Sequence, residues 1–394
     1  MVTPGYPPDV GGVEQHAGQL APALVKLGFA VDVLTQGGQV EAVEGERGGL
    51  RVLRFPLTIR ARHYRFSVAM WRYLRARGGS YGAVHAHNYH ALPALLAATS
   101  VQRALILTPH YHGESADRIR QALHRVYKVP GRQMFDRAAR VICVSRAEAS
   151  LIEQHFPAAR GRIAIIPNGV DRARIAAATA FDGYGRRLVL TVGRLDRYKR
   201  VDRTIEALAE LPSMVLNVIG RGEGHAFLAQ RAEGLGISER VRFLGRVSDN
   251  DLARWYKSAA VVVSLSEHES FGLVAAEALA AGSSVVLSDI PAHRDVAELA
   301  ETSNVRVVAP QATAAQVAAA IRSVAEAPSS ASRVCDWTEV ARLTADVYDD
   351  ALRGVGSRAR RTAGDAPAGG WHTSPTNDAI IDHSPEHPSG PCQL

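Results

Sequence analysis

The segment AVVVSLSEHESFGLVAAEALAAG, Ala260 to Gly282, decides how the chain folds. Its first residues, Ala260 to Leu265, are an apolar, β-branched run of the length of a buried strand. Helix formers begin near Gly272, and a short polar loop lies between. Strand, loop and helix in that order are one unit of a parallel sheet covered by helices. Glu269 falls in the loop at the helix N-terminus, and Glu277 falls inside the helix. Backbone N–H groups at Phe271, Gly272, Leu273 and Val274 would make an anion site there, and Gly272 lets a phosphate approach the backbone closely. Carboxylates on either side accept paired hydroxyls well. Read alone, the segment is equally a capping acid followed by a solvated helix glutamate.

The same alternation runs through the chain. Strands are expected at Ala30–Thr35, Arg51–Phe55, Ala83–Ala86, Ala104–Thr108 and Val141–Val144. A second set is expected at Leu188–Val192, Val215–Ile219, Val241–Leu244, Ser284–Leu287 and Val305–Val308. Two doubly wound sheets follow. Their boundary falls in IPNGVDRARI, Ile166 to Ile175, where Pro167, Asn168 and Gly169 break the pattern. The expected units are an N-terminal domain, 1–167, a C-terminal domain, 168–335, a helix, 336–353, and a tail, 354–394. The helix places Trp337, Val340, Ala341, Thr344, Val347 and Tyr348 on one face. The tail has five prolines in 41 residues and few large apolar groups, so it is expected to be disordered. Only Met1, Val2 and Thr3 precede the first Pro/Gly-rich turn, where a buried strand of about five or six residues is usual. The expectation is that most of a first strand is missing and that the natural chain starts upstream.

With 394 residues, 46% of them hydrophobic, the chain has enough material for two cores, which excludes a small disulfide scaffold or a disordered protein. Cys143, Cys335 and Cys392 are its only cysteines, and they signal neither a disulfide framework nor a zinc site. A reducing, cytoplasmic setting fits, and no apolar run reaches the roughly 18 residues of a membrane span. Net charge is +7, but residues 51–140 hold 16 Lys+Arg against Glu114, Asp117 and Asp136, so that stretch carries +13 and the remainder −6. A local anionic partner is implied: a membrane surface, a phosphorylated substrate or nucleic acid.

Four further blocks sit where open α/β sheets bind ligands. TVGRLDRYKRVD, Thr191 to Asp202, has a turn glycine, Gly193, and two cations, Arg194 and Lys199, suited to a diphosphate. Lysine is scarce, with Lys26, Lys128, Lys199 and Lys257 the whole set, which favours function over a merely basic surface loop. PPDVGGVEQHAGQL brings Gly11 and Gly12 to a helix start, a weak signal that also fits a plain turn. LTPHYHG places His110 and His112 past a strand end; phosphate or hydroxyl binding, metal ligation and simple loop roles all fit, but no third metal ligand is signalled. VIGRGEG, Val218 to Gly224, has a G-x-G outline but lacks the full dinucleotide fingerprint, so a nicotinamide oxidoreductase loses ground.

In combination the blocks resemble the family 4 glycosyltransferases, retaining enzymes of the GT-B fold, over about Val2 to Tyr348. The Glu-x7-Glu block with its FGL, the GR…K block and the GGVE start stand in the family's order. The resemblance implies two Rossmann-like domains facing a cleft, with a C-terminal helix returning to the N-domain. It implies that Glu269 meets donor-sugar hydroxyls and Glu277 the nucleotide ribose. Arg194 and Lys199 would hold the donor diphosphate, near Gly12, Gly193 and the Gly272–Val274 backbone. Arg246 and Val247 would lie beside the base, and His110 near the reaction centre. It implies a nucleotide-diphosphate sugar as donor substrate, GDP-mannose or a UDP-hexose, and no required cofactor or metal. The acceptor would be a lipid-linked saccharide, a polysaccharide or a small metabolite. The basic 51–140 stretch, with Arg60, Arg62, Arg65, Arg72, Arg75, Arg77, Trp71, Tyr73, Arg118, Arg120, Arg125 and Lys128, could then rest on anionic lipid at the inner face of the plasma membrane. A solvated arginine face is the plain alternative. The rival classes are a non-hydrolysing sugar-nucleotide epimerase, a silent sugar-nucleotide-binding protein and a nucleic-acid-binding protein, the last lacking any recognised module.

Overall fold

The computed structural model describes residues 1–9, 11–37, 41–44, 48–60, 65–101, 104–113, 130–300, 304–327 and 332–362. The N-terminal strands are β1 (Val31–Gln36), β2 (Glu41–Glu44), β3 (Leu50–Phe55), β4 (Ile59–Arg60), β5 (Arg65–Phe66), β6 (Ala83–His87), β7 (Ala104–Thr108), β8 (Arg140–Cys143) and β9 (Ile163–Ile165). They pair in the orders β2-β3-β1 and β6-β7-β8-β9, with β4-β5 a separate hairpin. Val2 joins the two larger groups through parallel bridges to Leu34 and Ala86. Its N–H donates to the His85 carbonyl at 2.7 Å, and its own carbonyl accepts the His87 N–H at 2.8 Å. The central strand position is thus held by Met1–Thr3, and the chain turns from it at once into the loop before the Gly12–Lys26 helix.

The second half forms β10 (Leu188–Val192), β11 (Val215–Ile219), β12 (Val241–Gly245), β13 (Val261–Ser264), β14 (Ser284–Ser288) and β15 (Val305–Val308). All pair in parallel, in the order β12-β11-β10-β13-β14-β15. Val, Ile and Leu dominate the central strands because helices bury both faces. The strand order reverses between β10 and β13, so the loops leaving those two strands open into the crevice where such sheets bind ligands.

Close backbone packing fixes one of these loops. Gly220 has φ +138°, and a Cβ there would lie 1.8 Å from the Gly193 carbonyl oxygen. VIGRGEG therefore serves as the seat for the loop that carries Arg194 and Lys199.

Beyond β9 the chain crosses between the sheets. The Val170 N–H donates to the Cys335 carbonyl at 2.9 Å, which brings the last helix, Trp337–Thr362, back to the first half. Trp337, Val340, Ala341 and Tyr348 pack there against Ala17, Leu20, Val33 and Ile106. This helix runs past Arg353 to Thr362, through Gly354 and Gly356, where the sequence suggested a tail beginning at Gly354; the helix formers of RARR, 358–361, lie beyond the two glycines. Residues 363–394 lie outside the described residues.

Part of the +13 stretch is spent on structure: Arg51 pairs with Asp32, Arg137 donates to the Ala98 carbonyl, and Arg140 pairs with Asp350. Arg65, Arg72, Arg75 and Arg77 are exposed. Arg62, Arg118, Arg120, Arg125 and Lys128, and the side chain of Arg60, lie outside the described residues. Among the described residues no helix is long and apolar enough to cross a membrane.

Candidate active site at the strand-order reversal

Lys199 and Glu269 meet where the loops from β10 and β13 face each other, with Nζ 2.5 Å from Oε1. Lys199 ends the short Arg197–Lys199 turn, and its side chain lies back over Gly193. Burial pushes the Glu269 carboxyl up, but Lys199, His293 and Ser266 together hold it below the usual carboxylate value, so it is ionised at neutral pH. Arg194 is exposed; it pairs with Asp196 at 3.1 Å and donates to the Tyr198 hydroxyl at 3.0 Å. Gly272, at φ +105°, caps the Leu273–Ala280 helix, and a side chain on it would press on His293 at 3.1 Å. The N–H groups of Leu273 and Val274 lie in the first helical turn, where the helix itself offers no acceptor. Phe271 adds only backbone, since its side chain is in the core. Arg246 is exposed in the loop after β12, and Val247 beside it packs on that core. This edge of the sheet therefore gathers two cations, a helix N-terminus and an ionised carboxylate.

Glu277 projects from the same helix and bridges the cleft. One carboxyl oxygen accepts from Gln15 Nε2 at 3.1 Å, on the Gly12–Lys26 helix, and the other accepts from the Tyr256 hydroxyl at 2.8 Å. Burial raises its pKa to about 7, against the pull of those two donors. Gly12 itself is open, with no atom within 4 Å of where a Cβ would stand. Ser145 Oγ donates to the Ser270 carbonyl at 2.7 Å, and the Ala147 N–H donates to Asp295 at 2.8 Å, tying the halves together beside the Leu273–Ala280 helix N-terminus.

His110 sits in the opposite wall at φ +48°, buried on the loop after β7. Its ring stands 4.9 Å from His16 and 5.8 Å from His87. The next residue donates its N–H to Glu148 at 2.5 Å, and the other Glu148 oxygen accepts from the Val144 N–H, which clamps the loop. His112 then reaches across the cleft to His268, centroids 5.2 Å apart, and His268 stacks on Tyr198 at 4.4 Å. The structure thus links the His110 loop to the Lys199 loop through rings. Sequence reasoning missed Gln15, His16, His87, Tyr198, Tyr256, His268 and His293. The spacing of two in HAH, at the end of β6, was the available signal that His85 and His87 share one face.

Two Rossmann-like halves with a cleft between them and a phosphate-suited site at the reversal define a GT-B architecture. The family descriptions "Glycosyltransferase Family 4" and "Glycosyl transferases group 1" match residues 10–174 and 180–338. Phosphatidyl-myo-inositol mannosyltransferase of Mycolicibacterium smegmatis is 31% identical over 316 residues, covering 75% of this chain and 77% of the relative. Glycogen synthase of Mycobacterium tuberculosis is 29% identical over 395 residues, covering 90% and 95%. Sucrose-phosphate synthase from Thermosynechococcus elongatus shares the fold at TM-score 0.65 and 21% identity, covering 91% and 95%. Anabaena HepE in complex with UDP does so at 0.63 and 18%, covering 92% and 98%. The chain belongs to the group 1 glycosyltransferases of family 4 and is a glycosyltransferase.

Proposed function

We propose that the protein is a retaining hexosyltransferase that moves a sugar from GDP-mannose or a UDP-hexose to a hydroxyl of a lipid-linked, polysaccharide or small-molecule acceptor. The observation that carries this reading is the Lys199–Glu269 pair beside the Leu273–Ala280 helix N-terminus. Relatives named as a mannosyltransferase and a glycogen synthase, and a neighbour in complex with UDP, agree with a nucleotide-sugar donor.

In this account Lys199, Arg194 and the Leu273 and Val274 N–H groups receive the diphosphate and stabilise the charge that grows on it as the sugar leaves. Glu269 accepts hydroxyl hydrogen bonds from the sugar, and its pairing with Lys199 keeps it ionised for that task. Glu277 exchanges Gln15 and Tyr256 for ribose hydroxyls. Contacts across the cleft exclude water, so the sugar passes to the acceptor and is not hydrolysed. The departing phosphate takes the acceptor proton on the face it leaves, so no protein nucleophile is required. His110, neutral because burial holds its pKa well below the usual value, hydrogen-bonds a sugar hydroxyl from the N-terminal wall. Val68–Arg77 presents Arg72, Arg75 and Arg77 beside half-buried Trp71, and we place this basic face on anionic lipid at the inner side of the plasma membrane.

Incubation with a panel of sugar nucleotides and acceptors tests the reading, with proton NMR of the product anomer. Acceptor-dependent release of nucleoside diphosphate with retained configuration is expected. Inverted product, or a new epimer formed without acceptor, would overturn it.

A further inference from the structure

We propose that His16, His87 and His110 form a three-nitrogen site for one divalent transition-metal ion of the zinc class. One ring nitrogen from each lies within 4.8 Å of the other two, and all three side chains are buried. They arrive from three segments: the Gly12–Lys26 helix, the end of β6 and the loop after β7. The sequence signalled no zinc site because these ligands are not neighbours in the chain.

Three details favour an ion over chance packing. His16 Nδ1 is 2.8 Å from Asn168 Oδ1, an acceptor, so Nδ1 carries the proton and Nε2 keeps its lone pair. Such an outer hydrogen bond is what orients metal-bound imidazoles. Both nitrogens of His87 and Nε2 of His110 have no hydrogen-bond partner among the described residues. His85, 4.1 Å from His87, is by contrast fully used, by the Tyr348 hydroxyl and Thr108 Oγ1, each at 2.7 Å, and so supports the site without joining it.

The donor set selects the metal. Three neutral imidazoles suit zinc and its neighbours, whereas magnesium and calcium take oxygen. Nitrogens about 2.1 Å from a tetrahedral ion are about 3.4 Å apart, so the rings must close by at most about 1.4 Å. A fourth position stays open for water or a phosphate oxygen. An ion held this way occupies His110. If the function proposed above holds, zinc then inhibits transfer reversibly.

The test uses the full chain without a histidine tag. Zinc is titrated against a competing chromophoric chelator, cobalt is substituted for its visible spectrum, and zinc-soaked crystals are measured at the zinc absorption edge. Expected are one equivalent per chain, the intense bands of a tetrahedral cobalt site, and an anomalous peak bounded by the three rings. His87→Gln should weaken binding at least about tenfold, and His268→Ala should not. Binding without a saturable equivalent, or a peak elsewhere among the chain's 15 histidines, would overturn the proposal. The crystal measurement decides even if His87→Gln fails to fold. It also separates this site from the transfer reaction, since it reads no activity.

Discussion

Replacing Lys199 by alanine removes an ammonium that pairs with Glu269 at the edge of the crevice. At 3 Å from a phosphate oxygen, and with an effective dielectric near 20, a unit charge pair is worth about 5 kcal/mol gross. Glu269, 2.5 Å away in the free protein, already takes part of that attraction, so the net gain as the diphosphate leaves is smaller. Loss of one preorganised donor costs about 3 to 4 kcal/mol in the transition state, or roughly 100- to 1,000-fold in rate. Initial rates of nucleoside diphosphate release, with donor varied at saturating acceptor, should therefore show kcat at least about 100-fold down and donor KM changed less. Glu269 also loses its strongest counter-charge, so its pKa rises and residual activity should fall away at a higher pH than in the wild type. Lys199→Arg should recover part of the rate. A kcat for Lys199→Ala within about threefold of wild type would show that Lys199 does not stabilise the leaving diphosphate.

Other outcomes follow from the same geometry. Glu277 has its pKa raised to about 7 and serves the ribose only when ionised, so sugar-nucleotide affinity should rise through pH 7 and drop about tenfold per unit below it. Calorimetry between pH 6 and 8 reads this directly, because the diphosphate diester does not itself titrate there; a flat profile contradicts it. The folded-state pKa of His16 is lowered to about 4, and those of His85, His87 and His110 are also lowered. Their contribution to stability is therefore present above the unfolded value near 6.5 and is lost as pH falls, at up to about 1.4 kcal/mol per unit for each. Melting temperature should drop steeply from pH 7.5 to 5.5, and an unchanged one would count against the buried cluster. Gly220→Ala puts a methyl against the Gly193 carbonyl and should cost about 1–3 kcal/mol in urea unfolding, with weaker donor binding. Arg72→Glu with Arg75→Glu should abolish salt-sensitive sedimentation with anionic liposomes, and equal binding by wild type and variant would remove the membrane role.

The strands that pack between helices were legible because burial on both faces leaves an unbroken apolar run. Leu188–Val192, Val261–Ser264 and Ser284–Ser288, buried along nearly their whole length, lie where that pattern puts them. Glu41–Glu44 was not legible, since EAVE becomes a strand only by pairing antiparallel with β3, and Ile163–Ile165 is too short to show a period. In the site, Lys199 and Glu269 announced themselves through a scarce residue type and a loop position. Gln15 with Glu277, and His112 with His268, could not, because each contact exists only once the two halves face each other. VIGRGEG was read as a turn with a nucleotide-like outline; the structure shows it as packing, a role visible only in the distance from Gly220 to Gly193.

A crystal structure of the chain with a bound nucleoside diphosphate tests directly whether Lys199 and the Leu273–Ala280 helix N-terminus receive the donor. Phosphate oxygens are expected within about 3 Å of Lys199 Nζ and of the Leu273 and Val274 N–H groups, with both ribose hydroxyls on Glu277. A diphosphate bound elsewhere, with Lys199 still on Glu269 and Glu277 still on Gln15 and Tyr256, is the opposite result.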